Sequence, residues 1–188
     1  MPWCVSHNFC CNFAGNLYSA SENVCLMRGK MTKFSVTMDK DHLTIIPVGR
    51  RYYELAQDTV LTLDTDKGSF EFKFQKGFVT NFRSGGPLVD GFIDQIGTEK
   101  TAQIYLLHDA AYTPCDNYGG KYPFPREDAD IMLRDGLGWA NMSKFKRNMA
   151  YRSVRLFGQK AYDDDDNYTN TNRTLFTFKE IKKEDKTE

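Results

Sequence analysis

The residues best suited to chemistry are His108 and Asp109, an adjacent pair inside the otherwise apolar stretch 104–112. Apolar residues surround the pair on every side of a predicted helix, which is the pattern of a helix buried all round. A buried imidazole and a buried carboxylate both cost free energy unless partners satisfy them, and a second carboxylate, a metal ion or ordered water can do so. The pattern therefore predicts a site.

Asp130, on the next predicted helix, is the expected partner of His108. Tyr112 shares a helix face with His108 because the two are four residues apart, whereas Asp109 is turned about 100° away. If the two helices pack antiparallel, Asp130 reaches His108 and holds its tautomer, and the histidine can act as a general base on water. The alternative is a satisfied polar network in the core, or Asp130 paired with Arg134 one turn on.

Asp109 is then left to bind a hard cation. Carboxylate and backbone carbonyl oxygens suit Ca²⁺, and the glycine-rich segment 84–87 offers such carbonyls. A bound Ca²⁺ polarises an ester carbonyl and stabilises the oxyanion that forms from it. The predicted ligands are Asp109, Gly85 and Gly86.

Length and composition limit the class of protein. The chain has 188 residues, which suits one domain of ordinary size. Its 25 basic and 25 acidic residues cancel, so nothing predicts a nucleic-acid binder steered by its overall field. A negative mean hydropathy predicts no membrane span, and the first residues lack the basic start and apolar run of a secretion signal.

The first 30 residues have weak periodicity and are predicted to form a poorly ordered extension, with Met27 or Met31 as alternative starts to Met1. Four of the five cysteines, at 4, 10, 11 and 25, lie here, and the fifth is Cys115. Free thiols in a reducing compartment are favoured over a zinc site, because there is no pair of CxxC motifs and only His7 lies nearby.

Strands are predicted in the first half of the chain, at 43–48, 59–63 and 69–74. The last two alternate apolar and polar residues, and the turn residues 64–68 between them predict an antiparallel hairpin with one solvated face.

Three helices are predicted after the strands, and glycine is expected to end two of them because it favours the position after a helix. Strands followed by a bundle of about three helices predict an α+β fold, with a single domain over 31–162. The predicted helices are 98–112; 127–135, stopped by Gly136 and Gly138; and 142–157, stopped by Gly158.

A charged tail is predicted over 163–188, with one more edge strand at 174–178. Its aspartate run at 163–166 is interpreted as a solvated linker rather than a cation site, because consecutive carboxylates cannot all face one ion. The helix at 142–157 interleaves basic and aromatic residues; it is interpreted as a solvated amphipathic face, with lipid headgroups or nucleic-acid phosphates as alternative partners.

Four ordered blocks resemble an uncharacterised family that is common in tailed phages and prophages and has the pattern GFVTDFxS…HDxxY…AD…VRxFG. The blocks are Gly-Phe-Val-Thr-Asn-Phe at 77–82, Leu-His-Asp-Ala-Ala-Tyr at 107–112, Ala-Asp at 129–130 and Tyr-Arg-Ser-Val-Arg-Leu-Phe-Gly at 151–158. The resemblance implies a phage origin, with the virion or the infected-host cytoplasm as location, and supplies no activity. Asn81 departs from the aspartate of the pattern, which would weaken this copy if that aspartate is functional.

A glycine turn, a His-Asp-Ala-Ala-Tyr block and an Ala-Asp on a following helix are similar to the site of secreted and parvoviral phospholipase A2. The resemblance implies that His108 is the base, Asp109 binds Ca²⁺, Asp130 orients His108 and Tyr112 supports them by hydrogen bonding. The implied substrate is a phospholipid of the host envelope. The rival interpretation is a non-catalytic virion or accessory protein that binds other virion proteins and uses the same residues as a core polar network.

Overall fold

The structure, a computed structural model, describes residues 30–49, 52–81, 98–163 and 167–181. Within these ranges, antiparallel strands are followed by helices, and the predicted α+β class is confirmed. The strands are β1 (Phe34–Met38), β2 (Ile45–Pro47), β3 (Tyr53–Leu55), β4 (Thr59–Thr65), β5 (Ser69–Phe74), β6 (Val79–Thr80) and β7 (Phe176–Ile181). The helices are α1 (Glu99–Ala111), α2 (Arg126–Trp139), α3 (Lys144–Asp163) and α4 (Asn167–Leu175), with a 3₁₀ turn at Asp116–Tyr118.

The larger sheet has the strand order β1-β4-β5-β7, and its centre is the predicted hairpin of β4 and β5. The alternation in β4 buries Leu61 and Leu63, which pair with phenylalanines of β5. The turn closes because the Thr65 hydroxyl accepts hydrogen bonds from the backbone N–H groups of Lys67 and Gly68. Alternating apolar residues and turn chemistry thus determine the register together.

Phenylalanine side chains form most of the core where β5 pairs with β7. Phe74 pairs with Phe176 across the two strands, and Phe72 with Phe178, whose ring centroids lie 5.1 Å apart. Each such aromatic pair adds about 0.5–1.5 kcal/mol beyond its buried area. The predicted edge strand at 174–178 overlaps β7, which lies at the edge of the same sheet as the hairpin, although residues 174 and 175 belong to α4.

Helix α1 is buried on every face, as its sequence predicts. It begins after Thr98, whose hydroxyl accepts a hydrogen bond from the backbone N–H of Thr101. Ile104 contacts α2 near Gly136, and His108, one turn later, meets Asp130, which comes earlier on α2. Helices α1 and α2 therefore run antiparallel, the arrangement that brings the predicted site residues together.

The prediction that glycines end the second and third helices was wrong. Helix α2 continues through Gly136 and Gly138 to Trp139. A Cβ at Gly136 would lie 2.8 Å from atoms of Ile104 and Phe34, so glycine serves close helix packing here. Helix α3 likewise continues past Gly158 to Asp163.

A smaller sheet, with the order β2-β3-β6, brings β6 beside the C-terminal half of α1. Gly85, Gly86 and the cysteines at 4, 10, 11 and 25 lie outside the described residues, as does the predicted extension except for Lys30. Cys115 is a free, buried thiol, and its burial raises its pKa. In the part of the chain that the structure describes, no helix is long and apolar enough to cross a membrane.

Candidate functional site

Asp130 is the centre of the site and is fully buried, with 0% of its surface exposed. Its Oδ1 accepts a hydrogen bond from the Tyr112 hydroxyl at 2.5 Å and lies 3.4 Å from Nε2 of His108. Its Oδ2 accepts a hydrogen bond from Nη1 of Arg155 at 3.1 Å, and Nε of Arg126 lies 4.0 Å away. One carboxylate therefore joins α1, α2 and α3.

Asp130 is ionised in this environment. Burial acts to raise the pKa of Asp130, but hydrogen bonds from His108, Tyr112 and Arg155 outweigh it and hold the pKa below its usual range. Burial and the hydrogen bond to Asp130 raise the pKa of Tyr112, so its hydroxyl remains a donor at neutral pH. The negative charge in the core is thus matched by donors from α1 and α3.

His108 is only 2% exposed and packs against Tyr112, with ring centroids 4.3 Å apart. Its Nε2 faces the ionised Asp130, which favours the tautomer that carries its proton on Nε2. The carboxylate therefore orients the ring so that Nδ1 is the nitrogen able to accept a proton. The contact predicted between two successive helices is present.

Asp109 points away from Asp130 and towards β6. The sequence analysis did not predict this strand. Its Oδ2 accepts hydrogen bonds from the Thr80 hydroxyl and from the Asn81 backbone N–H, the latter at 3.3 Å. Asn81 is the last described residue before 82–97, which include Gly85 and Gly86. Asp109 is thus held beside the point where the chain enters its predicted glycine-rich turn.

β6 is itself held by a side chain from the far end of the sequence. The buried amide of Asn172, on α4, donates to the Val79 carbonyl at 2.7 Å and accepts from the Val79 backbone N–H at 2.9 Å. The amide thereby satisfies both polar groups of one residue of a two-residue strand, as a neighbouring strand would. Asn172 therefore supports Asp109 indirectly, through β6.

Two arginines of the site were missed by the sequence analysis. Arg126 stands one helical turn before Asp130, and this spacing was a usable signal. Arg155 lies on α3, and no local pattern connects it with Asp130. Arg134, the alternative partner of Asp130, instead forms an ion pair with its neighbour Asp135, with Nε and Oδ1 2.8 Å apart.

Gly158 lies where α3 passes closest to Tyr112. A Cβ at this position would be 2.9 Å from the Tyr112 hydroxyl oxygen, the atom that donates to Asp130. We expect Gly158→Ala to destabilise the protein by about 1–3 kcal/mol through overpacking, although alanine favours helix by about 1 kcal/mol. Urea unfolding measures the difference.

The matched control for this substitution is Lys160→Ala, on the exposed face of the same helix, which should change the free energy of unfolding little. If Gly158→Ala were instead stabilising, helix propensity would dominate and Tyr112 would not be confined by α3.

Residues 53–154 match a family described as protein of unknown function (DUF1353). The chain belongs to this family. The matched range runs from β3 to the first half of α3 and includes His108, Asp109, Tyr112 and Asp130, whereas Arg155 lies one residue beyond it. No curated protein and no solved structure matches the chain.

Proposed function

We propose that this DUF1353 protein is a hydrolase with His108 as its general base and an ester of phospholipid type as its substrate. The observation that carries the proposal is the pair of contacts at Oδ1 of Asp130, one from His108 and one from Tyr112. An ionised carboxylate behind an imidazole orients the ring and stabilises the cation that forms when the ring takes a proton. The resemblance to the phospholipase A2 site assigns the same roles.

The proposed reaction needs two proton transfers, one to His108 and one from it. Nδ1 of His108 takes a proton from water while the water oxygen attacks the ester carbonyl, and Asp130 stabilises the imidazolium. The imidazolium then gives the proton to the leaving alcohol oxygen as its bond to the carbonyl carbon breaks. The products are a carboxylic acid and an alcohol. The 3.4 Å separation of His108 and Asp130 is long for a hydrogen bond, and such contacts often shorten when substrate binds.

Ca²⁺ is the proposed cofactor, held by Asp109 and by the backbone carbonyls of Gly85 and Gly86. The donor chemistry fits, because carboxylate and carbonyl oxygens suit this ion. Among the described residues, no group of three or more His, Cys, Asp or Glu could hold a metal ion, and the proposed carbonyl ligands of Gly85 and Gly86 lie outside these residues. When bound, Ca²⁺ would polarise the ester carbonyl.

A tailed phage or prophage is the proposed source of the gene, on the strength of the four sequence blocks. The protein would then act on the phospholipid of a host envelope, from the virion or from the cytoplasm of the infected cell. Glycerophospholipid vesicles are accordingly the first substrate to assay, with release of free fatty acid as the measurement. Release that requires the protein supports the proposal, and no release with or without Ca²⁺ contradicts it.

A non-catalytic role is the second candidate, and the burial of the site favours it. His108 is 2% exposed and Asp130 is 0% exposed, and the contacts of Asp130 join three helices. A network of this kind can specify how helices pack in a virion or accessory protein. In that case substitutions at His108 or Asp130 would lower the free energy of unfolding, and the wild-type protein would show no hydrolysis.

Calcium should stabilise the protein, and Asp109→Asn should remove the effect. A ligand that binds only the folded state adds about 2.7 kcal/mol at a concentration of about 100 times its Kd. Thermal melting with millimolar Ca²⁺ and with a chelator measures this shift. Asp109→Asn removes the charge at the proposed ligand and should melt at the same temperature in both conditions.

The control for the calcium experiment is Asp41→Asn, an exposed aspartate far along the chain from the site, which should keep the full shift. If wild type showed no shift at millimolar Ca²⁺, the calcium site would be excluded, and only metal-independent hydrolysis would remain to be tested.

A further inference from the structure

Helix α3 exposes large apolar side chains to solvent. Among the described residues, seven large hydrophobic side chains are exposed, and three of them lie on α3: Phe145 at 67%, Leu156 at 72% and Phe157 at 51%. Phe145 and Leu156 are about three helical turns apart and therefore lie on the same side of α3. Arg152 lies between them on that side. Such a group of exposed apolar side chains marks an interaction site.

The same helix carries a strong positive charge. Its twenty residues include six basic residues and one acidic residue, although basic and acidic residues balance over the whole chain. Two of the six face the protein: Arg155 bonds to Asp130, and Arg147 packs beside Gly138. The other four are exposed. The acidic residue, Asp163, is the last of the helix and accepts a hydrogen bond from Gln159.

We infer that this surface, formed by Phe145, Leu156 and Phe157 together with Lys144, Lys146 and Arg152, docks on a membrane rich in anionic phospholipid. Apolar side chains enter the boundary between headgroups and acyl chains, and basic residues beside them are attracted to anionic headgroups. Lysine and arginine can hold their charge at headgroup level while their aliphatic stems cover apolar surface. Lys144 and Lys146 lie about 100° to either side of Phe145 on α3, so basic residues flank the side that carries Phe145, Arg152 and Leu156. Apolar side chains flanked by basic residues fit a bilayer surface.

A second copy of this chain fits the surface less well. Two α3 helices packed face to face would bring the lysines and arginines of one copy against those of the other, with one acidic residue at the end of each helix. Like charges in contact oppose association. An anionic bilayer instead supplies the opposite charge to all four exposed basic side chains.

The inference extends the proposed function and rests on it for the identity of the substrate, since a phospholipid hydrolase has to meet its substrate at a bilayer. Helix α3 is also the helix that contacts the site, through Arg155 and Gly158. Membrane docking through α3 would therefore hold His108 close to the lipid surface. Docking can nevertheless be measured without turnover.

The test is vesicle flotation of the full chain. Wild type should bind vesicles that are made of equal parts of phosphatidylcholine and phosphatidylglycerol. It should bind vesicles of pure phosphatidylcholine much more weakly. Phe145→Ser with Leu156→Ser should weaken binding to the anionic vesicles at least about tenfold, because each side chain loses its apolar transfer free energy. Lys144→Gln with Lys146→Gln should weaken it about tenfold or more at low salt.

Matched controls are Ile46→Ser with Val48→Ser, which remove two other exposed apolar side chains, and Lys76→Gln with Lys179→Gln, which remove two other exposed charges. Both controls should bind like wild type. Equal binding by the α3 variants and the controls would overturn the inference, as would absence of binding to anionic vesicles. Self-association that the Phe145 and Leu156 substitutions abolish would also overturn it, in favour of a second copy.

Two further measurements separate this inference from the proposed function. His108→Gln should bind vesicles like wild type, whatever its activity, because His108 is buried and is not one of the residues that form the docking surface. The Phe145 and Leu156 variant should hydrolyse dispersed short-chain lipid at the wild-type rate while losing activity on anionic vesicles. Vesicle binding without any hydrolysis would contradict the proposed hydrolase function but not membrane docking. Hydrolysis of vesicles that is insensitive to the α3 substitutions would contradict membrane docking through α3 but not the hydrolase function.

Discussion

We expect His108→Gln to lower the proposed phospholipid hydrolysis about 10²- to 10⁴-fold, the range for loss of a general base. Glutamine can still donate a hydrogen bond towards Asp130, so the buried carboxylate keeps a donor and the fold is retained. It cannot take a proton from water, because a neutral amide is not a base. Fatty acid release from vesicles measures the effect, and circular dichroism checks the fold.

The chain offers a matched control for this substitution. His42 lies 3.7 Å from Glu99 with most of its side chain exposed, and His42→Gln should leave hydrolysis unchanged. If His108→Gln retained wild-type activity, the base would be another group and the proposed mechanism would be wrong. An equal loss of hydrolysis in His108→Gln and His42→Gln would indicate a general effect on folding.

Asp130→Asn should lower the free energy of unfolding by about 1–3 kcal/mol, the usual effect of leaving buried hydrogen-bonding groups without a matched partner. The substitution leaves the guanidinium of Arg155 facing a neutral amide. It also places an N–H₂ group where Tyr112 and His108 donate. Urea unfolding at neutral pH measures the difference. A loss below about 1 kcal/mol would show that the network contributes little.

The same substitution should change the pH dependence of stability. The folded-state pKa of Asp130 lies below its unfolded value of about 3.9, so its contribution is present above that pH and is lost as pH falls through the folded pKa. Wild type should therefore lose stability on acidification below about pH 4, and Asp130→Asn should lose less. Asp41→Asn, at an exposed position, should behave like wild type.

The sequence predicts those parts of the fold whose signals are local. The alternation in β4 and β5 and the turn chemistry between them predict the hairpin that the structure contains. The apolar surroundings of His108 and Asp109 predict that α1 is buried all round. The site geometry follows from two short-range facts, the spacing of His108 and Tyr112 on one helix face and the antiparallel return of the next helix.

Glycines in helices show why the remaining fold could not be predicted. A glycine after a helix and a glycine at a close helix contact look the same in one sequence, because both need only a missing side chain. Gly136 meets Ile104 and Gly158 meets Tyr112, and both contacts depend on residues far away along the chain. Only the packed structure shows whether a glycine ends a helix or allows close helix packing.

The longer-range part of the site was also invisible in the sequence. Arg155 reaches Asp130 from another helix, and Thr80 reaches Asp109 from a strand of only two residues. A strand that short has no detectable alternation. Pairing of this kind depends on which surfaces meet, not on local spacing.

The amide of Asn172 ties the order of assembly to the order of synthesis. A ribosome releases β6 and α1 well before α4, yet Val79 of β6 has its backbone polar groups paired with the Asn172 amide only once residue 172 has emerged. The hairpin of β4 and β5 likewise pairs with β7 only after the end of the sequence has been synthesised. A nascent chain therefore lacks this support for the carboxylate at 109 until nearly the whole sequence has been synthesised.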